Sequence, residues 1–301
     1  FFHNNFYYSY AILFRSVNLK INIYMDFYPI KLGNEKKITI IGGINVLEDI
    51  NDAIEIGKEF KEACRRNKIS YIFKASFDKA NRSSFGSYRG PGLTRGLEML
   101  REIKNILKVP IITDIHEIYQ ANLASEVCDM LQLPAFLARQ TDLIKALSST
   151  GKPINIKKPQ FISPDQVKYI VEKFSKFGCD DVVICERGSM YGYNQQIVDL
   201  IGLEIIKEQT NKPICVDITH SLQFRDGGDS SSNGRRSYSL KLAKAVTATC
   251  IDALFIEAHN QPEVAKCDGA SAIPSYVIPD FINQICQIDN LVKNQKVFKI
   301  E

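Results

Sequence analysis

From residue 36 onward, short β-branched runs alternate with longer amphipathic segments, and the alternation repeats eight times without a break. The strands read as Lys37–Ile41, Tyr71–Ser76, Pro110–Thr113, Met130–Leu133, Ile154–Lys157, Val182–Cys185, Ile214–Asp217 and Ala253–Glu257. Helical patterning lies between them at Leu47–Asn67, Gly92–Leu107, Thr141–Ser148, Pro164–Phe177, Gln195–Glu208 and Arg236–Cys250. The first of these places apolar residues at 50, 54, 56, 60 and 64, close to the 3.6-residue helical period. Strands separated by helices imply a parallel sheet buried on both faces. Eight near-even units over about 258 residues match the size of a closed (β/α)8 TIM barrel. A doubly wound open sheet is the structural alternative, and the regularity of the repeat favours closure. Gly42-Gly43 follows the first strand but is too short for a dinucleotide-binding turn.

The first 24 residues differ from the rest. They hold eight of the chain's 30 aromatic residues and no Asp or Glu, and Met25 is the first methionine. We read 1–24 as extraneous or leader-like sequence, with 25–301 a single catalytic barrel domain. The net charge of +4 is spread along the chain, which argues weakly for anionic small ligands and against nucleic acid. No run approaches the ~18 apolar residues of a membrane span. None of the eight cysteines forms a CxxC pair, and several lie in apolar strand-like runs, so they read as buried thiols of a cytoplasmic protein.

Barrel chemistry takes place at the C-terminal ends of the strands. Those ends carry Asn45, Lys74 with Lys79, Asp114 with His116, Gln132, Lys157 with Lys158, Glu186 with Arg187, Asp217 with His220, and Glu257 with His259. The second unit continues through Lys74–Ser84 and Tyr88–Gly92, a dense array of donors for phosphate or sugar hydroxyls. With Lys157 and Arg187 it suggests two anion pockets, hence two phosphorylated substrates. His220, Glu257 and Asp268 are donor types that divalent cations use, with Asn45 as the geometric candidate for a fourth. On spacing alone, a metal site and a set of hydrogen-bonding or acid–base groups both stay open. There is no G-x-S-x-G elbow. Thr219 reads as a hydrogen-bonding strand-end residue, Cys185 and Cys215 as core, and Asp226–Arg236 as either a loop or a lid over the active face.

Ten segments in order resemble the 3-deoxy-D-manno-octulosonate 8-phosphate synthase family: GGINVLE (42–48), FKASFDKANRSS (73–84), SYRGPG (87–92), ITDIHE (112–117), LQLPAFLARQTDL (131–143), INIKKPQF (154–161), CERG (185–188), DITH (217–220), LFIEAH (254–259) and KCDG (266–269). The resemblance implies condensation of phosphoenolpyruvate with D-arabinose 5-phosphate and water, in the synthesis of a lipopolysaccharide precursor. It implies that Lys74, Ser76, Lys79, Gln132, Lys157, Arg187 and His220 hold phosphoenolpyruvate. Asn81, Arg82, Ser83, Ser84 and Asp114 would take the pentose phosphate, with Arg82 reaching a neighbouring subunit's site. Asn45 and Asp268 would sit near the reacting carbons; with Lys79, Asp114, Lys157 and His220 they make up the expected catalytic set. Metal-dependent members of the family carry a cysteine where this chain has Asn45, so the resemblance implies the metal-independent type, with no metal and no other cofactor. It also implies a homotetramer. Two rivals are a related synthase that takes erythrose 4-phosphate or an amino sugar, and a barrel reduced to a binding role.

Overall fold

The computed structural model describes residues 24–27, 30–33, 37–191, 195–224 and 233–296. Its parallel strands are β1 (Thr39–Val46), β2 (Tyr71–Ser76), β3 (Ile111–Asp114), β4 (Met130–Leu133), β5 (Ile154–Lys157), β6 (Val182–Glu186), β7 (Ile214–Asp217) and β8 (Ala253–His259). Each pairs with the next, and β8 pairs back onto β1 through Ala253–Thr39 to Glu257–Gly43, so the sheet closes. The helices are α1 (Ile50–Asn67), α2 (Leu93–Leu107), α3 (Gln120–Ser125), α4 (Thr141–Ser148), α5 (Val167–Lys176), α6 (Leu200–Thr210), α7 (Ser239–Thr247) and α8 (Ile278–Lys293). One helix follows each strand. This is the (β/α)8 barrel that the alternation called for.

Strand periodicity sorts the side chains into two cores. Ile40, Tyr71, Phe73, Ile111, Leu131, Ile154, Ile156, Ile184, Val216 and Leu254 face outward and pack under the helices. Ile41, Ile72, Ile112, Met130, Val183, Cys185, Cys215, Ala253 and Phe255, at the alternate positions, form a separate cluster inside the barrel. Leu32 joins that inner cluster from an antiparallel hairpin, Tyr24–Phe27 with Ile30–Gly33. Residues 1–23, most of the segment read as foreign, lie outside the described residues.

Several boundaries differ from the sequence reading. β1 runs through Gly42-Gly43 to Val46, because a side chain at Gly43 would stand 2.1 Å from the Lys74 carbonyl oxygen of β2. The glycine pair therefore serves close strand packing. α1 begins at Ile50, where the Asp49 carboxylate accepts from the Asn51 and Asp52 amides. Gln195 and Gln196 belong to no helix: Gln196–Ile197 pairs with Ser189–Met190, and α6 starts only after the Asp199 cap. Short 3-10 turns precede α5 and α7. All eight cysteines are free thiols, seven of them buried. No helix of the described residues is long and apolar enough to cross a membrane.

Candidate active site

The inward positions, apolar low in the barrel on every strand but β5, become polar at its C-terminal end. Lys74 follows Ile72, Asp114 follows Ile112, Gln132 follows Met130 and Lys157 follows Asn155. Arg187 follows Cys185, Asp217 follows Cys215, Glu257 follows Phe255 and Asn45 follows Gly43. All eight are buried. Six of them, all but Asn45 and Glu257, line a cavity of about 570 Å³ at this end of the barrel.

Two networks organise the floor. In one, the Lys74 ammonium donates to Glu257 Oε1 at 2.8 Å, Ser76 Oγ at 3.0 Å and the Asn45 carbonyl at 3.1 Å. The Asn45 amide nitrogen donates to Glu257 Oε2 at 2.5 Å and Asp268 Oδ2 at 3.1 Å, and faces His220 Nε2 at 3.5 Å. In the other, Asp217 Oδ2 receives both Lys157 Nζ at 2.5 Å and His220 Nδ1 at 2.6 Å. Asp217 Oδ1 accepts from the Thr219 and His220 amides, which fixes the carboxylate, and Lys157 lies 3.2 Å from the centre of the Phe255 ring. Thr219 is the expected strand-end anchor, since its hydroxyl accepts from the Glu257 amide at 2.9 Å.

Burial and charge compete at each of these groups. Burial opposes the Glu257 carboxylate, but Lys74, His220 and Lys79 outweigh it and bring its pKa down to about 2. Burial likewise opposes Asp217 and Asp114, yet His220 and Lys157 hold the first well below the carboxylate range, and Lys79 and His116 do the same for the second. For Lys157, burial is outweighed by Asp217 and the pKa is raised. For Lys74, burial wins despite Glu257 and the pKa falls, making Lys74 the more easily deprotonated of the two lysines.

The loop after β2 supplies the second half of the cavity wall. Lys79, Asn81, Arg82 and Ser83 line it, and the Lys79 amide is pinned by the Arg89 carbonyl at 2.7 Å. Ser84 and Ser76 do not line it; Ser76 acts beneath the surface, on Lys74. Arg82, expected to reach a neighbouring subunit's site, lines the cavity of its own chain and donates to the Tyr88 and Lys266 carbonyls, both at 3.2 Å. Asp268 sits in a left-handed turn (φ 51°), which brings its carboxylate to Asn45. Three of the rim residues named from sequence lie elsewhere. Lys158 and Glu186 are buried outside the cavity lining, and His259 accepts from the Gln261 amide. His116 lines the cavity 3.3 Å from Asp114 Oδ2; its strand-end position flagged it, although no site role was assigned. Gln160, Gln195, Gln196, Gln223 and Phe136 also line it and carried no sequence signal of their own. Of the segment read as a loop or lid, residues 226–232 lie outside the described residues. Arg235 bonds Gln195, and Arg236 bonds Glu263.

The ligand types noted from sequence do come together: His220 Nε2 lies 3.6 Å from Glu257 Oε2 and 3.7 Å from Asp268 Oδ2. The point between them that a cation would take is filled by the amide nitrogen of Asn45, a donor, which already satisfies both carboxylates. The set does not fit a metal held through a thiolate at that position.

The DAHP synthetase I family matches residues 17–294. The chain belongs to that family. Among its relatives, the 2-dehydro-3-deoxyphosphooctonate aldolase of Janthinobacterium sp. (strain Marseille) is 50% identical over 273 residues, 90% of this chain and 97% of the relative. The protein of the same name from Aliivibrio fischeri (strain ATCC 700601 / ES114) is 50% identical over 265 residues, 88% and 93% of the two chains. That from Parasynechococcus marenigrum (strain WH8102) is 47% identical over 272 residues, 90% and 96%. In this family member, the cavity therefore sits where a barrel enzyme keeps its chemistry.

Proposed function

We infer that this family member condenses phosphoenolpyruvate with D-arabinose 5-phosphate and water, giving 3-deoxy-D-manno-octulosonate 8-phosphate and inorganic phosphate. The observation that carries the reading is one cavity walled by two cationic regions, in a chain about half identical to proteins named 2-dehydro-3-deoxyphosphooctonate aldolase. Lys74, Lys79, Lys157 and Arg187 converge on the floor and suit the carboxylate and phosphate of phosphoenolpyruvate, with Gln132 and His220 beside them. Ser76 supports Lys74 from below. Asn81, Arg82 and Ser83, on the rim, suit the phosphate of the pentose, and Asp114 suits its hydroxyls. Ser84, off the cavity lining, keeps a role only if that loop shifts.

In this reading C3 of phosphoenolpyruvate attacks the aldehyde carbon, and positive charge develops at C2. Water adds at C2 and gives up one proton, which balances the one taken by the aldehyde oxygen. The tetrahedral intermediate then expels phosphate as its C2–O(P) bond breaks, the hydroxyl proton leaving with the phosphate and the ketone remaining. Fixed ammonium and carboxylate groups meet these charges without reorganising. Lys157 gives a proton to the forming alkoxide, and Asp217 holds it in place. Asp268, on the cavity lining, is the anion that faces the cationic carbon and the incoming water, with Asn45 and Glu257 bonded behind it.

The same reading makes the enzyme metal-independent, supported by Asn45 standing at the centre of the His220, Glu257 and Asp268 group. A cytoplasmic homotetramer completes it. The deciding assay is phosphate release from phosphoenolpyruvate with arabinose 5-phosphate or erythrose 4-phosphate, before and after exhaustive chelation. Release with the pentose, unchanged by chelator, is expected, since the complete Ala80–Ser84 run is a pentose-phosphate feature of the resemblance. Release only with erythrose 4-phosphate would shift the reading to the neighbouring synthase, and loss on chelation would remove the metal-independent part. Asn45→Cys supplies the missing thiolate, and the variant is expected to bind about one equivalent of zinc or manganese after dialysis while the parent binds none. Elemental analysis of both proteins checks it.

A further inference from the structure

Directly behind the catalytic floor lies a second pair of charges that the reaction does not use. Lys158 follows Lys157 at the end of β5, and Glu186 precedes Arg187 at the end of β6. The strand pleat turns Lys157 and Arg187 into the cavity and their neighbours away from it. Lys158 is 1% and Glu186 2% exposed, and neither lines the cavity.

Both buried groups are tied to the turns that carry the cavity cations. Glu186 Oε1 folds back on its own chain and accepts from the Arg187 amide at 2.8 Å and the Gly188 amide at 2.5 Å. Glu186 Oε2 faces Lys158 Nζ at 3.5 Å. Lys158 Nζ donates to the Pro159 carbonyl at 3.1 Å, the Ile162 carbonyl at 3.3 Å and Ser189 Oγ at 2.9 Å, joining the loops after β5 and β6. At the far end of its side chain, Arg187 Nη2 donates to Gln223 Oε1 at 3.1 Å. The arginine is thus held at both ends, at its backbone by Glu186 and at its guanidinium by Gln223.

We propose that Glu186, paired with Lys158, is a positioning residue for phosphoenolpyruvate binding: its carboxylate clamps the Arg187–Gly188 turn and so fixes where the guanidinium meets the substrate anion. An arginine on an unclamped turn would lose part of the preorganisation that a planar, bidentate donor needs. Burial raises the Glu186 pKa, and Lys158 and the two amides offset that rise only in part. The clamp acts on Arg187 alone, so it bears on phosphoenolpyruvate and leaves the pentose phosphate site at Asn81–Ser83 untouched.

The inference rests on the proposed function, and kinetics of the full chain separate the two. Glu186→Met removes the oxygen that the amides use; Glu186→Gln keeps one. KM for phosphoenolpyruvate is expected to rise at least tenfold in Glu186→Met, with kcat within threefold and KM for arabinose 5-phosphate unchanged. Glu186→Gln is expected to recover most of the loss. Calorimetric titration with phosphoenolpyruvate alone should give the same ratio. Should Glu186→Met fail to fold, Gly188→Ala tests the clamp from the other side, since Gly188 has φ 90° and an added Cβ would lie 2.7 Å from Gln196 Cβ. The same split between the two KM values is expected there. Unchanged KM for phosphoenolpyruvate, or both KM values rising together, would overturn the proposal while the parent's turnover keeps the functional reading intact. A parent that neither binds phosphoenolpyruvate nor releases phosphate would overturn the functional reading itself.

Discussion

Replacing Lys157 with alanine is expected to lower kcat by at least about 10³-fold and to leave the barrel folded. Lys157 is 4% exposed, with its ammonium 2.5 Å from Asp217 and seated over the Phe255 ring. Asp217 raises its pKa against the pull of burial, so it stays charged at neutral pH as phosphoenolpyruvate binds. An alkoxide is a stronger base still, so proton transfer to it runs downhill. Loss of a positioned general acid costs roughly 10²–10⁴ in rate, and one charged hydrogen bond to the substrate adds about 1.5–3 kcal/mol. The fold should survive, because Asp217 keeps three donors in the His220 ring and the Thr219 and His220 amides. Phosphate-release kinetics together with far-UV circular dichroism check both halves. A folded variant with kcat within tenfold of the parent would take Lys157 out of the chemistry. Lys157→Arg should rescue little, since a planar fork cannot take the place of a compact ammonium between a carboxylate and a ring face.

The barrel was legible because strand and helix differ in period, and eight alternations leave few ways to arrange a sheet. The site was legible for a related reason: a barrel interior takes every second residue, so a strand such as Tyr71–Ser76 announces Ile72, Lys74 and Ser76 as one inward file. Adjacency misled where the pleat was ignored. Lys157 and Lys158 are identical in type and neighbours in sequence, yet one reaches the cavity and the other is sealed behind it. Glu186 and Arg187 repeat the pattern. Composition cannot tell such neighbours apart; pleat parity can.

Other misses had different causes. α3 is six residues long with no side-chain cap, too short for a helical period to register. α8 is long and amphipathic but lies after the eighth strand, where the count already looked complete. The hairpin at Tyr24–Gly33 lies across the compositional boundary at residue 25, and only packing reveals that Leu32 belongs to the inner cluster. Asp217 was seen at its strand end but given no role, because its partners Lys157 and His220 sit 60 residues before it and three after. Only the strand order, which sets β5 and β7 on either side of β6, brings the first of these to it.

Asp217 should be the most costly carboxylate to neutralise. It is fully buried, and one of its oxygens serves both Lys157 and His220. Asp217→Asn keeps the shape but leaves the Lys157 ammonium buried without its counter-ion and puts a donor opposite one of two donors. Breaking a buried pair in this way costs about 3–5 kcal/mol, a fall in thermal midpoint on the order of 5–10 °C. Turnover is expected to fall at least as far as in Lys157→Ala, because proton donor and imidazole lose their orientation together. The pH dependence has a fixed sign. His220 and Lys157 hold the Asp217 pKa well below that of the unfolded chain, about 3.9. The stabilisation is therefore fully present at neutral pH and is lost as pH falls from about 4 through the folded value. Denaturant midpoints measured from pH 7 down to pH 3 should fall in the parent, and less steeply in Asp217→Asn, which no longer has this group to protonate. Glu257, brought down to about 2, adds to the acid limb in both proteins, and because the Asp217 charge acts to raise it, the difference between the two curves reports Asp217 together with this coupling. Parallel curves would mean that Asp217 carries no linkage of its own, and that the short contacts around it do not hold a charged carboxylate.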